Sequence, residues 1–181
     1  MTSDHPILPD PGAPPPLRPL KLLHYMQTQW RRAFGLNLSQ IDELLFVGGQ
    51  FRPEQWPHIH AMGVRAVLSL QAENADVFEG PPPERALRLL VEDFHPPSVE
   101  QLHAAVGFIR EAHAVRLPVL VHCHAGVGRA SLTASAFLIA SAGLSAAESF
   151  GRISHARPIV RLNRIQRARL DEWERLHRQG S

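Results

Sequence analysis

Residues 119 to 130, V-L-V-H-C-H-A-G-V-G-R-A, constrain this chain more than any other stretch, because they set its single cysteine, Cys123, six positions ahead of Arg129 at a change of backbone regime. Val119 to Val121 follow Pro118 as a short apolar run that predicts a buried strand. Gly126 and Gly128 allow a tight turn, and from Arg129 the alanine- and leucine-rich sequence predicts a helix to residue 142, bounded by Gly143. A glycine-bearing loop in that setting turns successive N–H groups inward to join the unpaired N–H groups of the helix start. His124, Ala125, Gly126, Val127, Gly128 and Arg129 are thus expected to form a cup for a phosphate dianion. Cys123 sits at its bottom, where the dipoles and the guanidinium favour thiolate over thiol. The planar fork of Arg129 can grip two phosphoryl oxygens, which a lysine cannot do. His124 contributes its N–H to the cup and its ring to the rim, where partial protonation would favour anionic substrates.

Composition narrows the classes. The 181 residues, 44% of them hydrophobic, fit one domain with a sizeable core. A single cysteine excludes an intramolecular disulfide and a cysteine-based zinc site, and fits a reducing compartment. No apolar run reaches the ~18 residues of a membrane span, and the N-terminus lacks a signal-peptide pattern, so a cytoplasmic protein is expected. The net charge of +2, carried almost wholly by arginine with Lys21 the only lysine, does not argue for nucleic acid, and aromatic residues are not interleaved with the basic ones. His58 and His60, two positions apart on a helix, point to different sides and are expected at the surface. No metal or cofactor is expected.

In chain order, residues 1 to 20 are proline-rich and read as a disordered tail. Leu22, Leu23, Met26, Trp30 and Phe34 recur at helical spacing, giving a helical segment within 21 to 40 that is expected to pack on the domain spanning 41 to 181, the alternative being a helix lying on a membrane surface. Strands are expected over 44–47, 64–70, 86–91 and 118–121. Helices are expected from Pro53 to Gly63, after Ser98 with Leu102, Val106 and Ile109 on one face, over 129–142, from the capping-box pattern at Ser145 and Glu148 to about His155, and over 163–178. Residues 73 to 84 read as loop. The fold class is α/β, a single domain with a central mainly parallel sheet flanked by helices and a site at the carboxyl ends of its strands.

Two adjacent carboxylates, Glu92 and Asp93, follow the 86–91 strand in a proline-bearing loop that can swing over a substrate. Either fits acid–base chemistry, and strand alternation places them on opposite faces.

Taken with V-E-D-F-H-P-P-S at 91–98 and A-R-P at 156–158 with Gln166 eight residues beyond Pro158, the loop H-C-x-x-G-x-x-R at 122–129 resembles the cysteine-dependent protein tyrosine phosphatases, and most closely the small atypical dual-specificity phosphatases, over about residues 44 to 175. The resemblance implies a protein tyrosine phosphatase-like fold and a metal-independent phosphomonoesterase with a phosphocysteine intermediate. Its substrates would be phosphorylated proteins or small phosphomonoesters. It implies that Cys123 attacks phosphorus, Arg129 binds phosphate, Asp93 rather than Glu92 protonates the leaving oxygen, and His122 fixes the loop. One position departs: the family places Ser or Thr after the arginine to help the thiolate leave, and this chain has Ala130, which predicts slowed breakdown of the intermediate. Three rival readings remain: an inositol phosphate or phosphoinositide phosphatase, for which His124 is the only cation offered by the loop, a phosphate-binding module without catalysis, and a sulfurtransferase.

Overall fold

The computed structural model describes residues 35–178 together with Leu23 and Met26. The expected tail over 1–20 lies outside the described residues, as does the 22–34 helix apart from Leu23 and Met26, which are helical and exposed. Five strands, β1 (Leu38–Gln40), β2 (Leu45–Gly48), β3 (Ala66–Ser69), β4 (Arg85–Arg88) and β5 (Val119–His122), form one mixed sheet in the order β1-β2-β5-β3-β4. β1 runs antiparallel to β2, and every other pairing is parallel. Residues 38–40, expected within the N-terminal helical segment, are therefore an edge strand. Three residues are too few for alternation to declare itself.

β5 is central, and all four of its residues are buried. Its alternation divides the core. Val119 and Val121, with Leu45, Val47 and Leu68, face the layer built by α2 (Val99–Ala114), α3 (Arg129–Ala142), α4 (Ala146–Ala156) and α5 (Arg164–Arg178). Leu120, with Phe46 and Val67, faces a smaller cluster capped by Trp56 of α1 (Trp56–Ala61). α3 is buried along residues 129 to 139 and lies at the centre of the helical layer, as its lack of charge beyond Arg129 predicts. Trp173 of α5 anchors on it, donating its indole N–H to Ala136 O at 2.9 Å. Truncating a buried tryptophan of this kind costs about 3–5 kcal/mol.

The helix boundaries follow from capping chemistry. Ser98 with Gln101, and Ser145 with Glu148, form the reciprocal side-chain to backbone bonds that open α2 and α4. Asn163 and Gln166 do the same for α5, Asn163 Oδ1 accepting from Gln166 N at 2.9 Å and Gln166 Oε1 from Asn163 N at 3.2 Å. Gly143 ends α3 with a left-handed backbone, φ 65°. The parallel strands β2, β5 and β3 all deliver their carboxyl ends to one edge of the sheet, where β5 gives way to the loop that carries Cys123. No described helix is long and apolar enough to cross a membrane.

Candidate active site

Main-chain orientation at residues 122–128 is set from behind. The carbonyl of His122 accepts from Leu70 N at 2.9 Å, that of His124 from Gln50 N at 2.9 Å, that of Val127 from Arg161 N at 3.1 Å and that of Gly128 from Leu132 N at 2.9 Å. Arg157, fully buried, donates Nε to Gly126 O at 2.8 Å and Nη2 to Ala125 O at 3.4 Å, while Asn37 Nδ2 also reaches Ala125 O at 3.4 Å. Asn37 Oδ1 in turn accepts from Arg157 Nη2 at 2.6 Å. A peptide whose carbonyl is held outward sends the N–H of the next residue inward. The N–H groups of His124, Ala125, Val127 and Gly128 accordingly have no hydrogen-bond acceptor among the described residues, and that of Gly126 reaches Cys123 Sγ at 3.3 Å.

Gly126 is the position where nothing else fits. Its φ is 66°, and a Cβ there would lie 2.4 Å from the carbonyl of Gly48. Gly128 is closely covered by Gln166, whose amide would be 2.8 Å from an added Cβ.

Cys123 is 2% exposed at the floor of this cup. Arg129, first residue of α3, is 1% exposed and divides its donors. Nη1 bonds to Leu70 O at 3.1 Å, Val91 O at 2.7 Å and Glu73 Oε2 at 2.9 Å. Nε and Nη2 make no hydrogen bond among the described residues, although Nη2 lies 3.0 Å from Asp93 Oδ1. Burial works against the charge of Arg129, but the Glu73 bond and the negative charges of Cys123 and Asp93 outweigh it and hold the guanidinium above its ordinary range. The same Arg129 hydrogen bond holds Glu73 below the usual carboxylate range.

Asp93 thus faces the cup, whereas Glu92 points away and lies 3.7 Å from His95. Its loop is fastened at the main chain: Asn163 Nδ2 donates to Phe94 O at 2.7 Å and Gln166 Nε2 to His95 O at 3.5 Å. The pair that caps α5 therefore also holds the Asp93 loop.

His122 is fully buried, with Nε2 3.0 Å from Asp76 Oδ2 and its ring 5.3 Å from that of Phe51. Its Nδ1 is buried without a hydrogen-bond partner among the described residues. His124 stands at the rim with Nδ1 3.1 Å from Gln50 Oε1. Ala130 is fully buried, and the next residue, Ser131, has a buried hydroxyl with no hydrogen-bond partner among the described residues. His58 is exposed and His60 packs edge-on against Trp56. No group of three potential metal ligands occurs among the described residues.

Four site residues escaped the sequence reading: Glu73, Asp76, Asn37 and Arg157. Glu73 and Asp76 lie in a stretch that reads as ordinary surface loop, and only their proximity to Arg129 and His122 gives them meaning. Arg157 stood inside the quoted A-R-P without a role.

A model of the dual specificity phosphatase catalytic domain matches residues 45–176. The chain belongs to that family. It carries a cysteine-based protein tyrosine/dual-specificity phosphatase domain. Dual specificity protein phosphatase 12 of Homo sapiens is 31% identical over 70% of this chain and 38% of its own length. Phosphatidylglycerophosphate phosphatase PTPMT2 of Arabidopsis thaliana is 27% identical over 76% of this chain and 63% of its own length. The chain thus spans between about a third and two thirds of the length of these curated relatives. Its fold is that of human DUSP28, with a TM-score of 0.67 at 21% identity over 78% of this chain and 95% of that one. It is also that of PTPMT1 in complex with PI(5)P, with a TM-score of 0.72 at 22% identity over 80% and 98%.

Proposed function

We propose that this phosphatase hydrolyses phosphomonoesters, phosphotyrosine and phosphoserine or phosphothreonine in proteins among them, through a phosphocysteine intermediate on Cys123. The observation that carries the reading is the division of labour within Arg129. One terminal nitrogen is spent on two carbonyls and Glu73, which leaves Nε and Nη2 as a two-pronged donor edge beside the thiol and Asp93.

A bound phosphoryl group takes two oxygens to that edge, displacing the carboxylate of Asp93 from Nη2, and the rest to the inward N–H groups of the cup. The phosphorus is then held in line with Cys123 Sγ. The thiolate forms the S–P bond as the P–O bond to the alcohol breaks, and Asp93, protonated for this step, passes its proton to the departing oxygen. Water next attacks phosphorus, giving its proton to the Asp93 carboxylate. The S–P bond breaks, releasing phosphate and the thiolate. Sγ accepts one hydrogen bond among the described residues, from Gly126 N. With Ala130 offering no hydroxyl to the returning thiolate, the second step is the slower one. A rapid-quench experiment on an aryl phosphate should give a burst of alcohol stoichiometric with enzyme, and linear release from the first turnover would contradict this.

Cys123→Ser should abolish turnover of p-nitrophenyl phosphate and of phosphopeptides alike. Retained activity in that variant would overturn the mechanism, and inactivity of the wild type would favour a binding module. A second substrate class, an inositol or lipid phosphomonoester, is supported by the relative named a phosphatidylglycerophosphate phosphatase. Side-by-side kcat/KM values for phosphopeptides, inositol phosphates and a phosphomonoester lipid at one pH separate the two classes.

A further inference from the structure

The rim on the Asp93 side of the cup holds features that the chemistry above does not use. Phe94 is 73% exposed although its φ of 62° is a backbone conformation that a bulky residue adopts only at a cost. Strain of this sort survives where surrounding bonds over-determine it. Here Phe94 O is held by Asn163 Nδ2, and Phe94 N donates to Asp93 Oδ1 at 3.0 Å. The segment that supplies Asn163 carries the other half of the rim. Ile165, on the first turn of α5, is 48% exposed. Arg161, whose N–H braces Val127, and Arg164, which opens α5, are both exposed. Neither arginine has a carboxylate within ion-pair distance among the described residues, and Glu92 faces His95 instead. Two exposed apolar side chains and two arginines without a carboxylate partner among the described residues therefore stand on segments that border the phosphate cup.

We propose that this rim rests on an anionic bilayer and presents a lipid phosphomonoester to the cup, Phe94 and Ile165 entering the interfacial region while Arg161 and Arg164 meet lipid phosphates. Apolar side chains mixed with arginine are the combination that binds an interface, since neither burial nor surface potential alone holds a protein there. A phosphopeptide would use the cations but would not require both large apolar groups to stand in water. The inference rests on the phosphatase reading for the cup, but its binding arm is independent of turnover.

The experiment uses the full chain. Protein carrying Cys123→Ser is sedimented with phosphatidylcholine vesicles, with or without phosphatidic acid, and the active protein is assayed on phosphatidic acid in the same vesicles, on a phosphotyrosine peptide and on p-nitrophenyl phosphate. The rim predicts retention by the phosphatidic acid vesicles alone, weakened by salt. It predicts that the double change Arg164→Gln with Ile165→Ser lowers both retention and kcat/KM on vesicular lipid by at least about tenfold, with p-nitrophenyl phosphate turnover unchanged. Phe94→Asn, which tolerates the left-handed backbone, should lose retention as well, with circular dichroism reporting its fold. Retention that ignores these changes, or an equal loss on the peptide, overturns the proposal. Absence of p-nitrophenyl phosphate turnover in the wild type would strike the phosphatase reading instead, and sedimentation would still decide the rim.

Discussion

The loop of Cys123 and the loop of Asp93 face one another across Arg129 and are built in opposite ways. The first has His122, Cys123 and Gly126 buried, and its carbonyls at 122 and 124–128 are all held from outside, two of them by the buried guanidinium of Arg157. The second stands at the surface, its carboxylate 45% exposed, fastened through two main-chain carbonyls by the side chains that cap α5. A nucleophile and the N–H groups around it gain from preorganisation, because donors already in place need no rearrangement as charge develops. A general acid has to make way for the substrate and then close over it, so it belongs on an element that can move.

The contrast can be broken most severely on the rigid side. Gly126→Ala forces a Cβ to within 2.4 Å of the Gly48 carbonyl and away from a left-handed φ. Its kcat/KM should fall by at least about 100-fold, the penalty for displacing reacting groups by an ångström, with a lowered Tm in the same protein. Arg157→Met leaves the Asn37 and Gly126 oxygens without their buried partner and should cost about 1–3 kcal/mol for each acceptor left unpaired in denaturant unfolding, with activity falling alongside. If either variant kept wild-type stability and rate, bracing from behind would not be what shapes the cup.

On the Asp93 side the expected signature is reversed. Asp93→Asn should leave Tm nearly unchanged while lowering kcat/KM, which reports the first step, by about 100-fold or more, most strongly for alkyl phosphates and least for p-nitrophenyl phosphate, whose leaving group needs little help. A uniform loss across leaving groups would remove Asp93 from the acid role and return Glu92 to consideration.

Much of this was legible in the residues, and the rest was hidden for identifiable reasons. Cys123, the glycines and Arg129 lie within one local stretch, so spacing alone places them in one loop, and the capping patterns at Ser98 and Ser145 fix helix starts through contacts three residues apart. What escaped depends on distance along the chain. Asn37 meets Arg157 across 120 positions and Glu73 meets Arg129 across 56, and no periodicity records such pairings. β1 escaped for a different reason, being three residues with a single buried position.

The smallest expected effect concerns Glu73. Because its carboxylate is held below the usual range by Arg129, its contribution to stability is present above the ordinary glutamate value of about 4.3 and is lost as the pH falls through the lowered one. The Tm difference between wild type and Glu73→Gln should therefore be constant near neutrality and shrink in acid. A difference that grew in acid would reverse the sign assigned to that pair.

The central claim is that sulfur 123 itself accepts the phosphoryl group. The most direct test is acid quenching of the wild-type enzyme milliseconds after mixing with an aryl phosphate, followed by mass spectrometry of the peptide containing Cys123. One phosphoryl group should be found on that cysteine, formed at the rate of the burst and absent from Cys123→Ser. Turnover of the same substrate with the cysteine unmodified at every quench time would contradict it.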